Sequence, residues 1–172
     1  MKFREEAKPT GKVLIYSDFR GDSGGEIVEE VLKANGYSLY DPTQPSVNSL
    51  KYTFITGQEG VEQRKKNMKA FNDTKNKFGE QIQVMIISGA VAEGISLTCV
   101  RQVHILEPFW NFVRIDQVFG RAIRLHSHDD LAPVDRNVEE YLYLSVLPGG
   151  KSINEIYQSI QGWDTVPELT NV

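Results

Sequence analysis

The sequence predicts an α/β domain built on an open, mostly parallel sheet with helices on both faces. Two observations carry this. Runs such as Val13-Leu14-Ile15-Tyr16-Ser17 and Val84-Met85-Ile86-Ile87-Ser88 are apolar without polar alternation, as strands covered on both faces are. Between such runs stand stretches whose apolar residues recur at helical spacing, and alternating strands and helices imply parallel pairing through right-handed crossovers. A chain of 172 residues with 40% hydrophobic content is long enough for one such core.

Residues 1–11 are polar, contain Pro9 and Gly11, and read as a linker or boundary, leaving 12–172 as the domain. The first strand is 13–17. After a loop from 18 to 25, Ile27, Val28, Val31 and Leu32 define a helix, and Gly36 sits where its C-cap would. Residues 41–50, rich in Pro, Ser, Thr and Asn, form a flexible loop before a second strand at 52–56. A helix follows from about residue 60 to residue 71. Further strands are expected at 83–88, 102–106 and 140–146, with a helix from about 112 to 125 between the last two. Ser152 and Glu155 have capping-box spacing and mark a final helix.

Several classes are excluded. A formal charge of −4 and a pI near 5.4 do not suit a protein that coats nucleic acid through its overall field, so any such contact needs a local basic patch. Cys99 is the only cysteine, which rules out an intrachain disulfide or a multi-cysteine zinc site and fits a reducing, intracellular setting. The charged start does not suit a signal peptide and no run of about 18 apolar residues occurs, so a soluble protein without a membrane partner is expected. No G-x-x-x-x-G-K-[ST] is present, so the chain cannot build the phosphate loop of a self-contained NTPase. Gly21-Asp22-Ser23-Gly24-Gly25 lacks the lysine and the dinucleotide spacing, and reads as a loop capping the next helix. A Rossmann-like enzyme acting on a small molecule therefore has no fingerprint here.

The sharpest signal is Gln117-Val118-Phe119-Gly120-Arg121-Ala122-Ile123-Arg124. At about 100° per residue, Gln117, Gly120, Arg121 and Arg124 share one arc, while Ile115, Val118, Phe119, Ala122 and Ile123 take the core face. Two guanidiniums one turn apart suit a polyphosphate, because their planar forks match phosphate oxygens and stay charged. Gly120 removes a side chain where a ligand or partner must come close, at a cost of about 1 kcal/mol relative to alanine. The pair is expected to face across a gap, at the edge where the strands of the sheet end.

Gln117 to Arg124 resembles motif VI of superfamily 2 helicases, Q-x-x-G-R-x-x-R. The resemblance implies a RecA-like second lobe in which Arg124 is the arginine finger, Arg121 a further phosphate contact and Gln117 a coupling residue. The segment from Val84 to Leu97 is similar to motif V, with Ser88 at the nucleic-acid backbone and Glu93 and Gly94 near the nucleotide. Ser96 stands where many members carry an aspartate. The strand from Lys12 to Phe19, with Ser17 near its end, resembles motif IV, and Ile55-Thr56-Gly57 followed by Arg64 resembles the next block on the nucleic-acid side. The intervening words Phe71-Asn72, Asn76, Gly79, Arg101, His104 to Pro108, Trp110-Asn111 and Arg124 to His128 are similar to the poxvirus-type branch. That branch includes nucleoside triphosphatase I and the small early transcription factor subunit, with relatives in other large cytoplasmic DNA viruses. The likeness spans residues 12–147.

The resemblance implies ATP hydrolysis shared with an N-terminal lobe, a DNA or RNA track, viral transcription machinery as partner, and a place in host cytoplasm or virion. Mg2+ would enter with ATP, held by carboxylates of the other lobe. No metal is expected on this lobe itself: His126 and His128 have metal-like spacing but no cysteine or clear carboxylate partner to complete a zinc site. His104 reads as a core histidine, and Trp110 as an anchor for the motif VI helix. Arg64, Lys65, Lys66 and Lys69 make one helix face basic. Glu93, Glu107 and Asp116 are expected to orient helices rather than to act as general bases. The alternative is a docking module, derived from such a lobe, that binds nucleic acid or protein without catalysis.

Overall fold

The computed structural model describes residues 11–19, 24–43, 50–57, 59–89, 94–107 and 112–144. In chain order these form β1 (Lys12–Ser17), α1 (Gly25–Ala34), β2 (Ser38–Leu39), β3 (Lys51–Ile55), α2 (Val61–Asn72), β4 (Val84–Ser88), β5 (Val100–Ile105), α3 (Phe112–Ala122) and β6 (Glu139–Leu142). The strands make one sheet in the order β2-β3-β4-β1-β5-β6, and every pairing is parallel. β1 and β4 lie at its centre in register, Val13 opposite Val84 and Ser17 opposite Ser88, and are buried throughout. That is what their unbroken apolar runs required.

Alternate side chains of these strands feed two cores. Val13, Ile15, Tyr52, Val84 and Ile86 pack with Val28 and Leu32 of α1. Leu14, Tyr16, Met85, Ile87, Val103 and Ile105 pack on the other face with Phe71 of α2 and with Ile115, Val118 and Ala122 of α3. Helices thus cover both faces, as expected. Full burial of one such aliphatic side chain contributes about 1.5–3 kcal/mol.

Two buried polar residues fasten the end of α2 to the sheet. Lys12 donates from Nζ to the Phe71 carbonyl at 2.7 Å and lies 4.6 Å from the centre of the Phe71 ring. Asn76 is fully buried and uses every hydrogen-bonding position of its amide. Its Nδ2 donates to the carbonyls of Phe71 and Ile82, and its Oδ1 accepts from the amides of Gln81 and Ile82.

The structure differs from the sequence reading at the periphery. β2 is a two-residue exposed edge strand with no apolar run to announce it. α3 ends at Ala122 rather than near residue 125, because the Ser127 hydroxyl turns back to the Ala122 carbonyl and accepts from the Arg124 amide, while His126 adopts a φ of 66°. Ile123, placed on the core face by periodicity, is consequently exposed, as is Leu125. Gly11, read as linker, is buried against the Arg101 side chain. The helix expected from Ser152 lies outside the described residues.

Candidate nucleotide and nucleic-acid interface

The motif residues divide between the two ends of the sheet. α3 leaves the end of β5 and must return the chain toward the start of a parallel neighbour, so its 11 residues carry it about 16 Å back along the strands. Its C-terminal end therefore lies level with the strand starts: the Leu97 amide donates to the Arg121 carbonyl at 3.1 Å, and Cys99, next to the first residue of β5, donates to the Ser127 carbonyl at 2.8 Å. The expectation that Arg121 and Arg124 sit at the edge where strands end is overturned by this geometry. They occupy the opposite end, on the face shared by α2 and α3.

Nor do the two arginines stand one turn apart on one helix. Arg121 is on α3, half-buried, and its Nε is buried without a hydrogen-bond partner among the described residues. Arg124 lies beyond the helix and folds back, donating from Nε to the Gly120 carbonyl at 2.8 Å and from Nη1 to the Ser96 hydroxyl at 3.3 Å. Neither guanidinium is paired with a carboxylate among the described residues. Ser96 is held in turn by Asn72 of α2, whose Nδ2 donates to its carbonyl and whose Oδ1 accepts from the Thr98 amide. The segments likened to motifs V and VI thus meet here through Ser96 and Arg124. Gln117 is exposed on α3, and a Cβ added at Gly120 would meet nothing within 4 Å. No packing among the described residues requires that glycine. Gly94 is exposed with a φ of +88°, a conformation that L side chains rarely adopt. Glu93, Pro108, Trp110 and Asn111 lie outside the described residues.

At the other end, where the strands finish, stand the residues expected on the nucleic-acid side. Ser88 closes β4, and Gly57 is exposed beyond β3, next to a turn in which Thr56 donates to Glu59 from its hydroxyl and its amide. The Ser17 hydroxyl is committed to its own turn, donating to the Phe19 carbonyl at 2.7 Å. Arg64 is in the first turns of α2, half-buried, with an Nε that is buried and has no hydrogen-bond partner among the described residues. It does not share the solvated face of its neighbour Lys65, which pairs with Glu62 at 3.3 Å.

The same end contains a junction that no local pattern announced. Asp18 Oδ1 accepts from Arg114 Nη2 at 2.9 Å and from the Tyr16 hydroxyl at 2.7 Å, and the Asp18 amide donates to Glu107 Oε2 at 3.2 Å. Burial, and then the bond to Asp18, push the Tyr16 phenol up to about 12, so it remains a donor. Glu107 thus accepts from the backbone of the loop that follows β1.

The histidines are structural in their contacts. His104 is buried, stacks on Tyr141 at 4.6 Å and places Nδ1 2.8 Å from the Tyr143 hydroxyl; burial lowers its pKa to about 4. His128 bridges the Ser127 hydroxyl and the Val100 carbonyl, and His126 meets Asp129 at 2.6 Å. No helix among the described residues is long and apolar enough to cross a membrane.

Comparison with known proteins places these observations. The family model for the helicase conserved C-terminal domain matches residues 2–126. The African swine fever virus termination factor NPH-I homolog is 39% identical over 169 residues, covering 79% of this chain and 24% of that protein. The early transcription factor large subunit homolog of the same virus is 29% identical over 179 residues, covering 92% of this chain and 16% of its own. The viral branch suggested by the motif words is thus the one found, although the early transcription factor relative is a large subunit homolog rather than the small subunit expected. The chain spans a quarter or less of the length of these relatives. Among solved structures, the C-terminal part of the Fun30 ATPase domain superposes with a TM-score of 0.56 at 24% identity, over 78% of this chain and 35% of that one. The sheet and its helices are the RecA-like fold of helicase C-terminal domains.

Proposed function

Because the chain belongs to the helicase conserved C-terminal domain family, we propose that it is the second motor lobe of an ATP-dependent nucleic-acid translocase acting in viral transcription. ATP and its Mg2+ are held mainly by an N-terminal lobe, and this lobe closes on them. In-line attack by water on the γ-phosphorus breaks the bond to the β,γ-bridging oxygen and releases ADP and phosphate. Arg124 acts as the finger that stabilises charge on the transferring oxygens, with Arg121 as second contact and Gln117 coupling the two lobes. Glu93, Gly94 and Gly120 border the nucleotide, and Ser88, Gly57, Ser17 and Arg64 lie along the nucleic-acid backbone.

One observation carries this reading: Arg121 keeps a buried guanidinium N–H with no acceptor among the described residues. Leaving such a donor unpaired costs about 1–3 kcal/mol, which an anionic oxygen supplied from outside would relieve. Arg64 repeats the arrangement at the other end. The isolated lobe is inactive in this reading, since it lacks a phosphate loop.

The test is steady-state ATPase of the full-length, two-lobed protein, with and without single- and double-stranded DNA and RNA. An arginine finger contributes about three to five orders of magnitude in rate, so Arg124→Ala should nearly abolish turnover. A variant that keeps more than about a tenth of the parental rate refutes the assignment.

A further inference from the structure

The junction at the strand ends gathers residues from three strand exits. Asp18 follows β1, Gly89 follows β4, Glu107 follows β5, and Arg114 stands in the first turn of α3. A Cβ added at Gly89 would lie 2.2 Å from Asp18 Oδ1 and 2.7 Å from Arg114 Nη2, so the exit of β4 passes directly against the Asp18–Arg114 pair. The residue before it, Ser88, is the motif V hydroxyl, and Ser17 precedes Asp18. Any displacement of either exit must therefore move the guanidinium or be resisted by it.

Arg114 and Arg121 belong to one continuous helix, bedded on the core through Ile115, Val118 and Ala122. Such a helix moves as a unit. A push at its first turn reaches its last, where Arg121 and the Arg124 contact to Gly120 are found. We infer that Arg114 and Asp18 are positioning residues that transmit nucleic-acid engagement at the strand ends, through α3, to the arginines at the far end. This rests on the two-lobed motor reading above. The pair is 40% and 21% exposed at its side chains, and ion pairs this open contribute little to stability. Its removal should consequently separate coupling from folding.

The experiment uses the full-length protein. It measures ATPase with and without nucleic acid, and nucleic-acid affinity by fluorescence anisotropy with and without a non-hydrolysable ATP analogue. Coupling between two binding sites is reciprocal in affinity and commonly amounts to about 5- to 150-fold, while stimulation of turnover is a separate readout that need not match it in size. Arg114→Ala and Asp18→Asn should leave basal ATPase and melting temperature unchanged, while the stimulation and the analogue-induced gain in affinity each fall about fivefold or more. Arg114→Lys should retain part of the coupling, and Asp18→Arg combined with Arg114→Asp should restore part of it. A stimulated parent whose Arg114→Ala and Asp18→Asn variants are stimulated equally overturns the inference alone. Basal and stimulated rates that fall together with the melting temperature overturn it too, by making the pair structural. Should Arg114→Ala not fold, Arg114→Lys and Asp18→Asn decide by the same readouts. A parent that no nucleic acid stimulates removes the motor reading itself, and the inference with it.

Discussion

Lys12→Met should stabilise the protein at neutral pH and abolish a pH dependence that the parent shows. Lys12 is fully buried, and burial lowers its pKa from the ordinary 10.5 to about 8, outweighing the attraction of surrounding acidic groups. The folded chain thus holds this proton less tightly than the unfolded chain. The resulting penalty is fully present below pH 8 and disappears as pH rises from 8 to 10.5. A depression of about 2.5 pH units at 1.36 kcal/mol each corresponds to about 3 kcal/mol at pH 7. Methionine fills a similar volume without the charge. The Phe71 carbonyl, which would lose the Lys12 donor, retains Asn76 Nδ2 at 3.0 Å and is not orphaned. The expected gain is therefore about 1–3 kcal/mol at pH 7, and the gap to the parent should narrow by about 2 kcal/mol at pH 9.5. Urea denaturation of both proteins across that pH range, with linear extrapolation, measures it. A difference independent of pH, or a variant less stable than the parent by more than about 1 kcal/mol, would show that the Lys12 charge is well compensated in the fold and that the reasoning fails.

Two further outcomes are expected. Since burial lowers His104 to about 4, the folded state takes up its proton only at acid pH; stability should drop by about 3 kcal/mol as pH falls from 6.5 to 4, and His104→Gln should flatten that slope in denaturation curves. Gly120→Ala meets no atom of the described residues and should raise the lobe's stability by about 1 kcal/mol, yet should slow ATPase of the full-length protein about tenfold to a hundredfold if a second lobe closes there; unchanged turnover would count against a closing surface at that position.

The centre of the fold was legible because β1 and β4 are buried on both faces, which confines their interiors, Val13 to Tyr16 and Val84 to Ile87, to apolar and aromatic residues and leaves Lys12, Ser17 and Ser88 to the strand ends. The end of α3 was not. Helical periodicity continues through Ile123 and Leu125, and the stop comes from the Ser127 hydroxyl together with a left-handed His126, where a glycine or proline would have been a readable signal. That boundary is what moves Arg124 off the helix and onto Ser96. The end of the sheet at which the arginines stand follows from strand order and parallel pairing. Motif spacing carries neither. The Asp18–Arg114 contact joins residues 96 positions apart, and nothing in either local sequence points to the other. Asn72, by contrast, was visible among the motif words, although its hold on the Ser96 segment arises only from the packing of α2 against the chain before β5.

The corrected position of the arginines alters how closure must work in the proposed motor. Were both guanidiniums at the strand ends, nucleic acid and nucleotide would compete for one edge, and the positive charges could be satisfied by either polyanion. With Arg121 and Arg124 level with the strand starts, and Ser88, Gly57 and Arg64 toward the strand ends, the two anions of the proposed motor would occupy separate ends of the lobe. Bringing a second lobe against that face would exclude water from Arg121 and Arg124, and removing water strengthens their attraction for phosphate oxygens severalfold. Arg124 would need to release or share its hydrogen bonds to the Gly120 carbonyl and Ser96, both neutral acceptors weaker than a phosphate. In the proposed motor, Arg124 would therefore rest on a contact that an ionised phosphate can outcompete, which would make charge stabilisation conditional on closure rather than permanently present.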